Sequence, residues 1–342
     1  MAKKPFLSLV WDQWKKVPPV AVADLQGKTV VVLGANAGIG FEAAKHFAKM
    51  NPGRIILACR SQARGQEALQ CLKSETGYEK AELWIVDLAE FSSVKAFADK
   101  FEKDGGRLDV LVENAGMAPP FDNTAEFTID GWEQVNNLGP SLLAFLLLPR
   151  MLQTAKKYAT TPRLIIVTSG SSLNSTLEDA LINSDKPLRT FGSKEYCTKS
   201  VMGSRRYYDT KLLNVLFTRA LSDRLQTNSL IVNTVNPGFC YSELRRNMPS
   251  GIAAAGIWLM ERAMARTAEE GSRQLVWAAV GGDDQLDDLR GAFINNLEVC
   301  EAGDFIISDK GKSVQEKLWL DLVDELSAID SRVRGIVDTY LK

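Results

Sequence analysis

Short apolar runs rich in β-branched residues recur along the chain at residues 29–33, 54–58, 82–86, 108–112, 163–168, 229–235 and 292–294. Longer stretches with helical spacing of apolar residues lie between them. This alternation predicts an α/β domain built on a doubly wound parallel sheet of about seven strands, with helices on both faces. Residues 1–27 read as an N-terminal extension in which Pro18-Pro19 ends any helix. Residues 28–311 form the predicted domain, and 312–342 read as an amphipathic helical tail laid on the body. Two irregular stretches interrupt the pattern, a polar, turn-rich one at 170–205 and one at 243–266 that starts charged and becomes apolar. Both follow strands, and ligands of such sheets bind beyond the carboxyl ends of strands, so both are expected to be substrate-side loops.

Composition narrows the function classes. The chain has 342 residues, 45% hydrophobic and 24% charged, with a formal net charge of −1. No long-range field would gather nucleic acid onto it. The cysteines at 59, 71, 197, 240 and 300 are scattered, with no Cys-x-x-Cys pair and a single histidine to join them, so a metal site is not expected and reduced thiols in the cytoplasm are. A Ser-His-Asp hydrolase would have only His46 as its base, and His46 falls in a helical run, 41–50, as a partly exposed surface residue. No stretch approaches the roughly 20 apolar residues that span a bilayer, and the N-terminus lacks the pattern of a signal peptide. Phe6, Val10, Trp14 and Val17 share one helical face and 252–260 is almost wholly apolar. Peripheral membrane contact would suit both features, although packing against the body or lining a substrate entrance explains them more simply. The run around Leu142 to Leu152 is too apolar for one buried face, which suggests a homodimer.

The first strand runs into Gly34-Ala35-Asn36-Ala37-Gly38-Ile39-Gly40, and a helix follows. Glycines at such a junction let the chain turn sharply and bring the backbone and the helix N-terminus up to a pyrophosphate, the arrangement of a Rossmann-type dinucleotide site. The second strand ends at Arg60-Ser61, 20 residues after Gly40, where an NAD enzyme would place a carboxylate against the ribose 2′-hydroxyl. Arg60 instead offers a planar cation suited to a 2′-phosphate, with the Ser61 hydroxyl beside it, so NADP(H) is the expected cofactor. Tyr207 and Lys211 stand four apart, on one face of a helix just downstream of the fifth strand. A phenol has a pKa of about 10, and a nearby ammonium favours its ionised form, which fits Tyr207 for acid or base work.

With its Gly-x3-Gly-x-Gly spacing and the Tyr-x3-Lys pair, the chain resembles the single-domain branch of the short-chain dehydrogenase/reductase family, over about residues 27–300. It is most similar to retinol dehydrogenase-like and WW-domain-containing oxidoreductase-like members, as in Lys211-Leu212-Leu213-Asn214-Val215-Leu216-Phe217. No WW domain is visible, because Trp11 and Trp14 are too close together. The resemblance implies that Tyr207 gives a proton to the substrate oxygen, that Lys211 also grips the nicotinamide ribose, and that a serine after the fifth strand orients the carbonyl. Strand alignment favours Ser169 for that role, with Ser171 as the fallback. It implies that Asn136, in Val135-Asn136-Asn137-Leu138-Gly139, holds a water linking the lysine to solvent; an asparagine within a helix otherwise has little to recommend it. Asp87-Leu88 would meet the adenine, though Asp87 equally suits a cap for the helix from Phe91. Asn114-Ala115-Gly116 matches the family's Asn-Asn-Ala-Gly except that Glu113 replaces the first asparagine. Pro237-Gly238 through Ser242 resembles the turn that holds the nicotinamide carboxamide, and Leu33 stands where the family usually has Thr.

The resemblance implies an NADP(H)-dependent oxidoreductase, a ketoreductase interconverting a carbonyl and an alcohol. The apolar stretch 251–260, with Trp258 and Leu259, points to a hydrophobic ketone or aldehyde, of retinoid, steroid, aromatic or polyketide kind. The long gap between Ser169 and Tyr207 implies an enlarged lid. Two rival readings remain: a cofactor-binding interaction protein that has lost turnover, for which Leu33, Glu113 and Pro140 are the departures, and a sugar-nucleotide epimerase, whose glycine spacing differs.

Overall fold

The computed structural model describes residues 11–104, 106–242 and 252–342, with side chains in the last stretch from residue 258. Eight strands form one sheet in the order β3-β2-β1-β4-β5-β6-β7-β8. They are β1 (Thr29–Leu33), β2 (Arg54–Cys59), β3 (Ala81–Ile85), β4 (Val110–Glu113), β5 (Arg163–Val167), β6 (Ile231–Asn236), β7 (Phe293–Asn295) and β8 (Glu298–Cys300). Each of the seven expected runs holds a strand, and β1 to β7 pair in parallel. The central strands are buried along their whole length because both faces are covered, which is why their sequences are continuously apolar rather than alternating.

Strand alternation divides the core into two layers. Val30 and Val32 of β1 point into one, filled by Phe47, Leu72 and Leu275 of α1 (Gly38–Lys49), α2 (Gln62–Thr76) and α7 (Ala268–Val280). Val31 and Leu33 point into the other, filled by Phe97, Phe145 and Leu213 of α3 (Phe91–Asp104), α4 (Leu138–Tyr158) and α5 (Arg206–Arg224). The helix Ile252–Met264, α6, precedes α7. His46 lies in α1, largely buried, with its Nε2 3.0 Å from a Glu269 carboxylate oxygen, and burial lowers its proton affinity.

An eighth strand extends the expected sheet of about seven. It pairs antiparallel with β7 through the two-residue turn Asn296-Leu297, both residues at positive φ, 54° and 60°. Such turns are normally announced by Asn-Gly or Asp-Gly, so a leucine at the second position hides the hairpin. Gln274 Oε1 accepts from the Leu297 amide at 2.8 Å and helps hold this turn.

The apolar run behind the dimer expectation has an account within the chain. Among the described residues α4 is the one helix long and apolar enough to cross a membrane, which corrects the expectation that no stretch comes near. Yet 72% of its apolar window is buried inside the fold. Its faces pack against α3, α5 and the tail helices α8 (Asp309–Ile329) and α9 (Arg332–Tyr340), so its composition gives no ground for a dimer.

The stretch 170–205 is a helical layer rather than an irregular loop: a 3-10 turn at Gly170–Asn174 and short helices at Asp179–Ile182, Pro187–Phe191 and Lys199–Ser204. It is fastened to the tail. The Leu188 amide donates to Asp321 at 2.8 Å, and Arg189 pairs with Glu325 at 2.7 Å. In the N-terminal extension, Phe6 and Val10 lie outside the described residues, Trp14 is 55% exposed and Val17 only 4%, so Trp14 and Val17 do not share an environment. Of the second irregular stretch, residues 243–251 lie outside the described residues, and α6 exposes Trp258, Leu259 and Met260.

Candidate active site

Because β1 to β7 are parallel, their carboxyl ends lie along one edge of the sheet. Each residue singled out for binding or catalysis sits on a connection leaving that edge. At its centre, β1 lies between β2 and β4, where the strand order reverses direction and α/β sheets open a crevice.

The glycine loop occupies that crevice. Its entry is fixed by the Gly34 amide, which donates to the Ala58 carbonyl at 2.8 Å. The Asn114 side-chain amide donates to the carbonyls of Leu33 and Gly34 at 3.2 Å each, so Asn114 and Ala115, leaving β4, clamp the loop from below. Gly40 is needed for this contact: a Cβ there would lie 2.4 Å from Asn114 Nδ2. Gly38 stands at φ 59° and faces open space. Ala37, the N-cap of α1, offers no side-chain cap, and the first turn contains no acidic residue. The amides at this helix N-terminus are thus left for an anion, and the loop fits a dinucleotide pyrophosphate. Asn36 and Ile39 are half-buried in the same loop.

Arg60 is exposed where β2 ends, and Ser61 caps α2, its hydroxyl accepting from the Arg64 amide at 3.4 Å. The two readings of Asp87 separate here. Its carboxylate accepts from the Ala89 amide at 3.0 Å, whereas the Phe91 amide that opens α3 is held by Asp130 at 2.9 Å. Asp87 therefore shapes its own turn and is not the cap of that helix. The Leu88 carbonyl packs against Gly139 at the start of α4, where a Cβ would collide with it.

On the catalytic side, Tyr207 and Lys211 lie one turn apart near the start of α5, with Lys211 Nζ 5.8 Å from the centre of the Tyr207 ring. Lys211 Nζ donates to the Val167 carbonyl at 3.3 Å, and the Thr168 hydroxyl donates to the Lys211 carbonyl at 2.8 Å, clipping the helix to the end of β5. A Cβ on Gly116 would lie 3.6 Å from the same ammonium. Burial pushes the Lys211 pKa down to about 8. Ser169 follows Thr168; its hydroxyl accepts from the Ser171 amide at 3.3 Å, which leaves its own proton to give. The Ser171 Oγ is buried without a hydrogen-bond partner among the described residues. Pro237 and Gly238 follow β6, Gly238 at φ 85° with its amide on the Asn236 side chain, and Ser242 is half-buried beyond them.

Asn136 corrects one premise. It lies before α4 rather than inside a helix: its side-chain oxygen accepts from the Leu138 amide at 2.8 Å and its amide donates to the Glu133 carbonyl. An asparagine at this position is explained by the Asx turn its side chain makes just ahead of the helix.

Sequence reasoning missed the pair that joins these pieces. Arg206, directly before Tyr207, is fully buried, with Nε on the Val135 carbonyl at 3.0 Å, its guanidinium on Glu133 at 2.5 Å and its plane 3.5 Å from the centre of the Phe191 ring. Thr210 donates to the same Val135 carbonyl at 2.9 Å. Burial raises the Glu133 proton affinity, and attraction to Arg206 opposes it. Opposite charges beside the Asn136 and Tyr207 motifs were the available signal.

Glu113 is buried in β4, in register between Leu33 and Ile166, with one carboxyl oxygen lacking a hydrogen-bond partner among the described residues. Desolvation pushes its pKa well above the carboxylate range. A folded-state pKa raised above the unfolded one contributes stability below the unfolded value, about 4.3, and that contribution is lost as pH rises toward the folded value, by about 1.4 kcal/mol per pH unit. Glu113→Gln, a neutral isostere, is therefore expected to gain on the wild type as pH rises from 5 to 8. Thermal melts at the two pH values check this, and an equal gap at both would contradict it.

The family model for short chain dehydrogenase matches residues 28–179. The chain is 32% identical over 327 residues to the short chain dehydrogenase/reductase dmxR8 of Cryptosporiopsis sp., covering 94% of this chain and 98% of that protein. It is 32% identical over 281 residues to the WW domain-containing oxidoreductase of Gallus gallus, covering 81% of this chain and 63% of that one. In fold it is similar to L-sorbose reductase from Gluconobacter frateurii, solved with NADPH and L-sorbose: TM-score 0.57 at 20% identity, over 79% of this chain and 96% of that one. The 32% identity to dmxR8 over nearly the whole length of both chains, together with the parallel sheet and glycine loop, makes this chain a member of the short-chain dehydrogenase/reductase family.

Proposed function

We propose that the chain is an NADP(H)-dependent reductase of hydrophobic ketones or aldehydes, with Asn136, Ser169, Tyr207 and Lys211 as its catalytic group. The observation that carries the reading is the Tyr207–Lys211 pair clipped to the end of β5 beside Gly116, two residues beyond the Asn114 that holds the glycine loop. When bound, the nicotinamide supplies a hydride to the carbonyl carbon. Ser169 donates its hydroxyl proton in a hydrogen bond to the carbonyl oxygen and orients it. Tyr207 transfers its phenolic proton to that oxygen, and the Lys211 ammonium favours the phenolate left behind. Asn136, held at the mouth of α4, keeps the route from Lys211 to solvent.

Gly34, Asn36, Gly38, Ile39 and Gly40 would cradle the pyrophosphate, Asp87 and Leu88 the adenine, and Asn114, Ala115 and Gly116 the floor. Pro237, Gly238 and Ser242 would meet the carboxamide. NADP(H) is preferred because Arg60 is exposed and makes no ion pair among the described residues, which leaves its guanidinium available for a 2′-phosphate beside Ser61. The fold's likeness to a reductase solved with NADPH supports the same choice. Arg60→Asp is expected to weaken NADPH binding by about 10-fold to 100-fold, the loss of one or two charge-assisted hydrogen bonds, and to shift preference toward NADH. Titration with both cofactors checks it, and an unchanged affinity ratio would sink the assignment.

The exposed Trp258, Leu259 and Met260 of α6, beside the carboxamide turn, support a hydrophobic substrate. A reducing, cytoplasmic setting suits the buried thiols of Cys59 and Cys197. The test follows NADPH absorbance against hydrophobic aldehydes, ketones and quinones, with Tyr207→Phe as control. Tight NADPH binding with no turnover across a broad panel would favour an interaction protein instead.

A further inference from the structure

The N-terminal extension reaches the turn assigned to the nicotinamide end of the site. Residues 11–14 are helical, and Gln13 points its amide into the junction where the segment after β6 meets the end of α6. There the Tyr241 amide donates to the Arg266 carbonyl at 3.0 Å and the Arg266 amide to the Phe239 carbonyl at 2.9 Å, a short parallel bridge that closes the base of the substrate-side segment. Gln13 extends this bridge. Its Oε1 accepts from the Phe239 amide at 3.1 Å, and its Nε2 donates to the carbonyls of Phe239 at 2.7 Å and of Met264 at 3.1 Å. A side-chain amide that both accepts from and donates to one residue imitates a peptide group of a neighbouring strand.

The surrounding contacts keep that amide in place. Trp14 Nε1 donates to the Ala263 carbonyl at 3.1 Å, the Arg266 guanidinium to the Asp12 carbonyl at 2.5 Å, and the Asn295 side chain to Asp12 Oδ2 at 3.5 Å. Gly238, the turn glycine of the carboxamide segment, lies beneath: a Cβ there would stand 3.0 Å from Gln13 Oε1. These contacts join parts of the chain 226 and 251 residues apart in sequence, so nothing local accounts for them.

We propose that Gln13 is a positioning residue for the nicotinamide end of the cofactor site, strapping the Pro237–Ser242 turn to α6 so that the turn is set before cofactor arrives. The cofactor half of this inference rests on the NADP(H) reading above; the strap itself does not. Gln13→Glu keeps the shape but removes both donors and sets a carboxylate against two carbonyls, whereas Gln13→Met removes all three bonds without adding charge.

The experiment uses the full chain and reads amide hydrogen exchange over residues 237–242 without cofactor, NADPH affinity by nicotinamide fluorescence, and KM against kcat. Exchange in that turn is expected to accelerate about 5-fold to 10-fold in Gln13→Met, as losing one or two net hydrogen bonds would give, and more in Gln13→Glu. NADPH affinity should fall by a similar factor, with KM for NADPH rising more than kcat falls. The melting temperature and exchange in β1 and β5 should stay close to wild type, which separates this effect from general unfolding. Unchanged exchange at 237–242 in both variants overturns the strap. Accelerated exchange with unchanged NADPH affinity overturns its role in positioning. If the wild type binds no NADPH while exchange still responds to Gln13, the cofactor reading fails and the strap stands.

Discussion

Tyr207→Phe is expected to lower turnover by about 10²-fold to 10⁴-fold, the usual contribution of a positioned proton donor, while leaving NADPH affinity nearly unchanged. The substitution removes one oxygen and leaves the ring, its contact with Tyr208 and the helix start intact. Arg206 and Thr210, on either side of Tyr207, hold the Val135 carbonyl, so neither the helix nor the Asn136 segment has reason to move. Lys211 keeps its bond to Val167. Steady-state rates with the best substrate from the carbonyl panel, paired with fluorescence titration of NADPH, make the measurement. Residual activity near wild type would remove Tyr207 from the mechanism, and a parallel loss of NADPH affinity would mean that its role is to hold cofactor.

Removing Glu133 is expected to have the largest effect on stability. Glu133→Ala leaves the Arg206 guanidinium fully buried with its counter-charge gone, and uncompensated buried charges of this kind cost about 3–5 kcal/mol. For a chain of this size that lowers the melting temperature on the order of 10 °C. The carbonyls of Val135 and Phe191 still accept from Arg206, which argues for the lower part of the range. Replacing both partners with apolar residues, Glu133→Leu with Arg206→Met, should recover much of the loss, because two desolvation penalties disappear together. Thermal melts of the single and double variants test this. A single variant as stable as the wild type would show that the pair is not what anchors the catalytic helix to the segment before α4.

The strands, the glycine loop and the Tyr207–Lys211 pair were legible because each is written in neighbouring residues: a run of apolar side chains, a strand–glycine–helix junction, a four-residue spacing. Asn114 was singled out only by resemblance, and its clamp on the glycine loop was not legible, since its bonds to Leu33 and Gly34 span 81 and 80 residues. Asn136 was singled out by resemblance, and only the added premise that it lies within a helix was mistaken; the helix begins two residues later, and boundaries are where propensity gives least guidance. The hairpin to β8 was hidden because Leu297 occupies a position that usually advertises itself with glycine. The stretch 170–205 read as polar and irregular because its helices are too short to show a period, and partners such as Asp321 and Glu325 in the distant tail hold them.

By itself the sequence determined the class of fold and the family, and it singled out the candidate groups of the site, because periodicity and motif spacing are local and survive without coordinates. Only the tertiary structure decided how those groups are held. The apolar α4 is a core helix because four neighbouring helices cover it, the proton affinity of Glu113 is raised because burial takes its carboxyl out of water, and Arg206 tolerates full burial because Glu133 and two carbonyls converge on it. Burial and pairing of charge depend on which distant residues arrive at a point, and the chain specifies that only when the whole sheet and both helical layers are assembled.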